Sequence, residues 1–418
     1  MPRFKSIISS ALPLAVWFVF FSCGGQAPSF ECTDTLGCVH VEPGDPLKIG
    51  VLQALSGKVA SLGMEQIRGF ELAIDQKNGQ VLGHSFLLQK EDTGCTSEGG
   101  ANAVLKILAD PQTIAIFGTT CSGAARTASH AMSEAGLVMI SGNNSAPFLT
   151  SIGGKAAPEW HPGYFRTANN EENAGKAAAI FAFQKLGIRR VATINDTDIY
   201  TRGLTDGFRQ SFEKQGGKIV LDTSINKGET VMGPVLTAVY NAGAQLLFFP
   251  LFQPEGNLIL TAAGENPELR NIVLMSDGAL IEDSFIQDVR EKGKGMYFVG
   301  PVSPKNPAVD ALSRKYLAKY TTLPANYYYL NAYDAAMLLF GAIETIAVQE
   351  ADGSLHIGRN ALRRALYATR DHKGVTGDLT CDEFGDCSQA AFNVLRLDDP
   401  DAGVRALQEN VIFTYTPE

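Results

Sequence analysis

The sequence predicts an α/β protein made of two doubly wound parallel-sheet lobes. From Leu47 onward, short apolar runs alternate with amphipathic stretches of helical length, and the alternation restarts near Ile180. The chain has 418 residues, which is enough for two domains at roughly 150 residues each. Strands separated by helices of this length are typical of βαβ units, so a parallel sheet is expected in each half.

The first half is expected to begin with a strand followed by a helix. Ile67, Phe70 and Ile74 recur at intervals of three and four, which is the spacing of one helical face. A second apolar stripe of this kind runs from Ala101 to Leu108. The strands predicted around these helices are the apolar runs 47–52, 86–89, 114–117 and 137–140.

The second half repeats this order with different lengths. Its helices are expected at 180–186, 208–212 and 231–240. Its strands are expected at 191–194, 219–221, 246–249 and 272–275.

The N-terminus has the layout of a secretory signal. Arg3 and Lys5 precede an uncharged run over 7–21, which is short for a membrane-spanning helix. The run ends in Ser22-Cys23, which resembles a bacterial lipobox, where the cysteine is acylated and becomes the new N-terminus. This predicts a signal peptide at 1–22 and a lipid anchor at Cys23. The alternative is plain cleavage near Ser22, with release of the protein.

The segment 23–46 is expected to be a tether between the anchor and the first strand, because it is rich in Gly, Pro, Ser, Thr and acidic residues. Six cysteines remain after Cys23, and disulfides persist in an exported protein. Six cysteines allow 15 pairings. Spacing favours the pairs Cys32–Cys38, Cys381–Cys387 and, by elimination, Cys95–Cys121. A metal site or a nucleophile at Cys121 is disfavoured, since no CxxC pair occurs and the histidines are scattered.

Charge and motifs exclude several classes of function. A net charge of -9 argues against nucleic acid as a partner, because phosphate binding needs a basic face. The sequence contains no GxxxxGK loop, GxSxG elbow or HExxH pair, so neither an enzyme nor a cofactor is predicted. The acidic run 382–386 is expected to be a hairpin turn between two cysteines and not a calcium loop. The tyrosines of 327–329 are expected to pack a helix against its sheet.

Polar loops follow five of the predicted strands. Ligands of open parallel sheets bind outside the carboxyl ends of the strands, where helix N-termini also supply free N–H donors. Hydroxyl and amide groups dominate the loops of the first half, whereas aromatic and acidic residues dominate those of the second. The five loops are 118–123, 141–147, 195–200, 252–255 and 276–278.

This distribution suits a zwitterionic ligand. Hydroxyls and backbone N–H groups of the first half would hold a carboxylate, while Asp277 would take an ammonium group. Tyr200 and Phe252 would line the apolar part of the site. The alternative is that the Ser and Asn residues are ordinary helix N-caps and that Asp277 begins a turn.

Several segments together resemble one family. The stretch from Gly50 to Gly63, followed by Gly69 to Ile74, is similar to the opening of the leucine/isoleucine/valine-binding family of ABC transporter substrate-binding proteins. The similarity extends over essentially the whole chain from Leu47 onward. It continues at 92–95, 118–122, 145–147, 196–203, 252–255, 277–278, 377–380 and 382–386.

The resemblance implies a type I periplasmic binding protein fold, in which three crossing strands join two lobes. The crossings would fall near 164–166, 295–301 and 374–379. Lobe one would then comprise 47–166 plus 302–376, and lobe two would comprise 167–301 plus 377–418. The family also carries a disulfide at the positions of Cys95 and Cys121, which agrees with the pairing favoured by spacing.

The resemblance also implies which residues bind the ligand. Ser122, Asn143 and Ser145 would hold the amino acid backbone, Asp277 would take its ammonium group, and Tyr200 and Phe252 match aromatic wall positions. Two departures widen the range of ligands. Phe252 stands where branched-chain binders usually have Tyr, and Asn143-Asn144 replace smaller residues.

The resulting hypothesis is an exported, lipid-anchored monomer in the periplasm or at the cell surface. It would bind a small amino acid by hinge closure and pass it to ABC permease subunits. Alternatives are a binding protein for short amides, urea-like or other small polar metabolites, and a sensor that presents its ligand to a receptor. A third is an exported enzyme that uses Asp277 or Glu255.

Overall fold

The structure is a computed structural model that describes residues 1–2, 30–324, 326–389 and 391–417. Cys23, the predicted site of acylation, and all of the predicted signal peptide except residues 1–2 lie outside the described residues. Residues Cys32–Glu418 form one compact unit. Within the described part of the chain, no helix has the length and apolar character needed to cross a membrane.

The first lobe is a six-stranded sheet with helices on both faces. The sheet order is β3-β4-β2-β5-β6-β9, and every pair except β3–β4 is parallel. The elements are β1 Cys38–Val41, β2 Leu47–Gln53, α1 Ala60–Gln76, β3 Gln80–Val81, β4 His84–Asp92, α2 Ser97–Leu108, β5 Thr113–Gly118, α3 Ser122–Glu134, β6 Met139–Ser141, β7 Ser151–Ile152, β8 Lys155–Ala156 and β9 Tyr164–Arg166.

The second lobe is a seven-stranded sheet of mixed direction. Its order is β11-β10-β12-β13-β14-β19-β20, and the last two strands are antiparallel to their neighbours. The elements up to β14 are α4 Glu172–Ile180, β10 Arg190–Asn195, α5 Ile199–Lys214, β11 Lys218–Ser224, α6 Gly233–Asn241, β12 Leu246–Phe248, α7 Glu255–Glu265, β13 Val273–Asp277, α8 Asp283–Val289 and β14 Tyr297–Pro301.

After β14 the chain returns to the first lobe and then ends in the second. The returning segment packs its helices on the first sheet, with α10 against α1. Its elements are α9 Pro307–Tyr320, α10 Tyr328–Ile346, β15 Val348–Gln349, β16 Leu355–Gly358, α11 Arg359–Tyr367, β17 His372–Lys373 and β18 Asp378–Leu379. The chain then completes the second sheet with β19 Phe392–Arg396, α12 Gly403–Glu409 and β20 Val411–Tyr415.

Burial of both sheet faces explains why the central strands are apolar throughout. All six residues of β5 are buried, as expected for a parallel strand covered by helices on both sides. The α1–α10 contact is close because of Gly69, where an added Cβ would lie 2.2 Å from the carbonyl oxygen of Tyr329. One apolar cluster continues from the first lobe into the second, joining Leu52 to Phe248.

The expectation of a tether over 23–46 is wrong for its last part. The strand β1 pairs antiparallel with β16, and Val39 and Val41 are 2% and 4% exposed. These two apolar side chains alternate with polar ones, so the strand buries one face against the first lobe. Composition alone did not reveal this pairing, because its partner strand lies more than 300 residues further along the chain.

The structure forms the three disulfides that the cysteine spacing favours, namely Cys32–Cys38, Cys95–Cys121 and Cys381–Cys387. Chain-entropy arguments give about 2 kcal/mol for a bridge that closes a loop of six residues. We therefore expect Cys32→Ser/Cys38→Ser to lower stability by about that amount. Hydrogen exchange should localise the loss to β1 and its partner β16. Unchanged protection of β1 would show that strand pairing alone holds the segment.

Candidate functional site

The carboxyl ends of strands from both lobes meet around a small cavity. The volume that the centre of a water molecule can occupy in this cavity is about 20 Å³. That is room for roughly one water molecule. Five of the six residues proposed as ligand contacts line it, and they are Ser122, Asn143, Ser145, Tyr200 and Phe252. The sixth, Asp277, lies directly behind the lining, hydrogen-bonded to Tyr200. The structure thus brings all six residues together.

The first lobe contributes hydroxyl and amide groups from two adjacent loops. Ser122 begins α3, the helix that follows β5, and its Oγ accepts a hydrogen bond of 3.2 Å from the Ala146 N–H. The Asn143 side chain donates to the Thr120 carbonyl at 3.0 Å, which ties the two loops together. The Thr120 hydroxyl is already engaged, since it accepts from the Ala54 N–H and donates to the Gln53 side chain. The serine hydroxyls and the start of α3 are therefore the groups best placed to hold an anion.

The second lobe contributes an acid between two aromatic rings. Asp277 ends β13 and is 1% exposed. It accepts hydrogen bonds from the Tyr200 hydroxyl and, at 3.3 Å, from the Ser276 hydroxyl. Burial raises the pKa of Asp277 to about 7, although these hydrogen bonds act to lower it. The Tyr200 and Phe252 rings lie 5.1 Å apart at 36° and form an apolar wall beside the acid.

A second buried acid, Glu171, was missed by the sequence analysis. It lies at the N-terminus of α4, just after β9, and is 3% exposed. Its backbone N–H donates to the Ser145 carbonyl at 3.0 Å. Burial raises the pKa of Glu171 to about 8, and the charge of Asp277 raises it further. Glu171 follows the crossing strand near 164–166, which was not among the five predicted strands whose polar loops were considered, so it was passed over.

Tyr328 packs against the core, as predicted, and also lines the cavity, which was not predicted. Tyr329 is buried in an apolar cluster, as the helix-packing interpretation expects, but its neighbour Tyr328 lines the site cavity. Both start the helix α10. Because adjacent helical side chains project about 100° apart, one tyrosine can face the core while the next faces the cleft.

Direct hydrogen bonds hold the two lobes together beside the cavity. Glu282 of the second lobe accepts from the Ser61 hydroxyl at 2.7 Å and from the Asn326 side chain at 3.1 Å, and both donors belong to the first lobe. Lys227 donates across the cleft to the Cys95 carbonyl at 2.7 Å. Burial raises the pKa of Glu282 to about 7. The structure therefore represents a closed arrangement of the lobes.

A larger cavity of about 410 Å³ lies beside the segments that cross between the lobes. Its lining is more apolar than polar and includes Asn169, Pro301, Thr376 and Leu379. It shares Tyr328 with the smaller cavity. Of the six proposed ligand residues it contacts none, so the smaller cavity is the better candidate for ligand binding.

The other candidate sites have structural roles. The 382–386 run forms a turn closed by Cys381–Cys387, in which Asp382 accepts hydrogen bonds from the backbone of Phe384 and Asp386. Glu255 accepts from the Gly228 N–H. No group of three or more potential metal ligands occurs among the residues that the structure describes.

Comparisons with known proteins agree with this architecture. A family model described as periplasmic binding protein matches residues 46–395. The Leu/Ile/Val-binding protein homolog 3 of Brucella melitensis biotype 1 is 26% identical over 356 residues, which cover 84% of this chain and 92% of that protein. A leucine-, isoleucine-, valine-, threonine-, and alanine-binding protein of Pseudomonas aeruginosa is 26% identical over 357 residues, covering 84% and 89%.

Solved structures show the same fold. A leucine-binding protein of Thermotoga maritima MSB8 superposes with a TM-score of 0.74 at 22% identity, covering 89% of this chain and 98% of that one. A solute-binding protein of an ABC transporter from R. palustris, solved with benzoate, gives 0.70 at 21% identity, covering 84% and 93%. These matches confirm the predicted fold class of two α/β lobes. The chain therefore belongs to the periplasmic binding protein family, in its leucine/isoleucine/valine-binding group of ABC transporter substrate-binding proteins.

Proposed function

We propose that this protein captures a small amino acid between its lobes and delivers it to an ABC importer. The observation that carries the proposal is the arrangement of charge around the small cavity. Hydroxyl groups and the start of α3 lie on the first lobe, and a buried acid, Asp277, lies opposite them on the second. A zwitterion matches both sides at once, since its carboxylate meets N–H and hydroxyl donors and its ammonium group meets a carboxylate.

Capture by hinge closure follows from the size of the cavity. A space of about 20 Å³ is far too small for an amino acid, so the lobes must part before a ligand enters. The ligand then replaces direct contacts between the lobes with contacts of its own to both. Because it binds the closed state better than the open one, it shifts the population toward closure. The segments that absorb this motion would be those at the predicted crossings near 164–166, 295–301 and 374–379.

The side chain of the ligand would lie against the Tyr200–Phe252 wall. An apolar wall suits the branched-chain amino acids for which the curated relatives are named. The benzoate-bound relative shows that ligands differ within the fold. Here the buried acid Asp277 favours a ligand with a positive charge. A ligand such as benzoate would bring its own carboxylate beside Asp277, and burying two uncompensated negative charges together would be costly.

The location of the protein belongs to the same proposal. The family is extracytoplasmic. The lipobox-like sequence at Cys23 supports a lipid anchor, with the residues before Cys32 as a tether. The closed protein would act as a monomer, with both lobe tips contacting the permease.

A thermal-shift screen of the mature protein tests the proposal. The standard amino acids, small amides, urea and benzoate are added one at a time, because a compound that binds only the folded state raises Tm. We expect a shift with one class of small apolar amino acid and none with benzoate. Shifts with amides or urea alone would contradict the amino acid assignment. Turnover of a bound compound, followed by mass spectrometry, would contradict a pure binding function.

A further inference from the structure

The buried acid Glu171 has hydrogen-bonding capacity that the protein leaves unused. Its Oε2 is fully buried and has no hydrogen-bond partner in the described structure. Burial is the largest cause of its raised pKa, and the hydroxyls of Ser145 and Tyr200 act in the opposite direction. A buried carboxylate oxygen without a donor is unfavourable, and such groups are rare unless they serve a purpose.

Glu171 faces the other buried acid of the cleft. The charge of Asp277 raises the pKa of Glu171, and both acids interact with the Tyr200 hydroxyl. The Tyr200 hydroxyl contacts both of them, yet a single hydroxyl proton can be donated to only one. Glu171, Tyr200 and Asp277 all belong to the second lobe or its connection to β9, so they stay together when the lobes part.

Among the described residues, no basic side chain forms an ion pair with Glu171 or Asp277. The charge of Arg166 acts to lower the pKa of Glu171, but its guanidinium already donates to Asp386, to the Ala146 carbonyl and to Thr150. The phenols of Tyr200 and Tyr328 face the pair from α5 and α10, and the pKa of each is raised well above its usual value by burial and by the two acids. Glu282 and Glu65 add further negative charge near Tyr328. A ligand cation would therefore favour ionisation of both carboxyl groups, which otherwise retain protons in the closed protein.

We propose that Glu171 is a second ligand-binding residue, and that Glu171 and Asp277 together bind one unsubstituted ammonium group. This inference rests on the proposed function and deepens it by defining the charged end of the ligand. An –NH₃⁺ group has three donors, enough for both carboxylates and for one acceptor such as the Ser145 hydroxyl. It takes over the position that the Tyr200 hydroxyl holds in the closed structure. An N-methylated amine has fewer donors and more bulk, so it fits this site poorly.

Binding of an ammonium group to the pair releases a proton. In the closed protein without a cation, burial raises the pKa of Glu171 to about 8 and that of Asp277 to about 7, so the pair retains protons at neutral pH. An ammonium group favours the charged form of both carboxyls, and their protons leave as it binds. Affinity should therefore rise with pH between about 5 and 8, where the free pair would otherwise be protonated.

Calorimetry on the full-length mature protein tests this inference. Each standard L-amino acid serves as a probe, and the one with the lowest Kd is compared with its N-methyl derivative. Titrations at pH 7 in two buffers of different ionisation enthalpy count the protons released. We expect about one proton per amino acid bound, an affinity at least tenfold higher at pH 8 than at pH 5.5, and weak binding of the N-methyl derivative.

The variant Glu171→Gln isolates the role of this residue. We expect it to weaken amino acid binding at least tenfold, to reduce proton release and to flatten the pH dependence. The matched control is Glu172→Gln, since Glu172 is the next residue of α4 and its carboxylate accepts from the Gly153 N–H outside the cavity. It should bind like the parent protein. The proton count of the unmodified protein does not depend on whether either variant folds.

The possible results separate this inference from the proposed function. If no amino acid binds the unmodified protein, the proposed function fails and the inference fails with it. If an amino acid binds, but Glu171→Gln leaves both Kd and proton release unchanged, only the inference is overturned. Equal affinity for the N-methyl derivative would likewise overturn it, while leaving amino acid capture intact.

Discussion

Replacing Asp277 with Asn should abolish most amino acid binding while the protein remains folded. The ammonium group of the ligand would lose its principal countercharge in a cleft that excludes water. Truncating one partner of a buried charge pair costs about 3 kcal/mol, which is on the order of a hundredfold in Kd. Calorimetric titration with the amino acid that binds the parent protein most tightly measures this loss directly.

Stability measurements distinguish a lost contact from a lost fold in Asp277→Asn. Burial raises the pKa of Asp277 from 3.8 to about 7. Ionisation of Asp277 therefore lowers the stability of the closed protein as the pH rises from 3.8 through about 7. The neutral amide removes this penalty, so Tm at pH 8 should be unchanged or higher. Asp310→Asn, on the exposed face of α9, is the control for ligand binding and should leave Kd unchanged. Unchanged affinity in Asp277→Asn would remove Asp277 from the ammonium site.

Replacing Arg166 with Met should be strongly destabilising. Arg166 is fully buried and forms an ion pair with Asp386, whose side chain is only 12% exposed. Its guanidinium also donates to the carbonyls of Asn144 and Ala146. Removing one partner of a buried ion pair leaves the other charge without compensation, at a cost of roughly 3–5 kcal/mol. Denaturant unfolding of Arg166→Met should show a loss of this size.

The same residue positions the site, so a second effect is expected in this variant. Arg166 joins the end of β9, the turn at 382–386 and the loop that carries Ser145. Loosening that loop should weaken ligand binding even where the variant is folded. The double variant Arg166→Met/Asp386→Leu should recover part of the stability, because no charge remains buried. Arg270→Met is an exposed control, expected to change stability by less than about 0.5 kcal/mol.

The periodicity of the sequence predicted most of the regular structure. The apolar runs at 47–52, 114–117 and 191–194 lie within β2, β5 and β10. Such runs are recognisable because a parallel strand is buried on both faces and needs apolar residues throughout. Boundaries were less accurate. The run 137–140 contains only the first two residues of β6, since Leu137 and Val138 are buried before the strand begins.

The candidate site was predictable to the extent that it follows strand ends. Asp277 ends β13 and Ser122 begins the helix that follows β5, and the parallel arrangement brings such positions to one edge of each sheet. The positions of Glu171 and Tyr328 in the site could not be predicted from strand ends. Both lie at helix N-termini reached after the chain crosses between lobes, where no local pattern marks a residue that faces the cleft.

By itself, the sequence determined the order of strands and helices, the two-lobe α/β class and the clustering of polar groups beyond the strands. These properties depend on local periodicity and on general rules of sheet topology. Only the tertiary structure decided that β1 joins the first lobe, that Glu282 connects the lobes, and that Glu171 faces Asp277. Each of these depends on which distant segments meet and exclude water, and a pKa near 8 for Glu171 is a property of that enclosure and not of the residue.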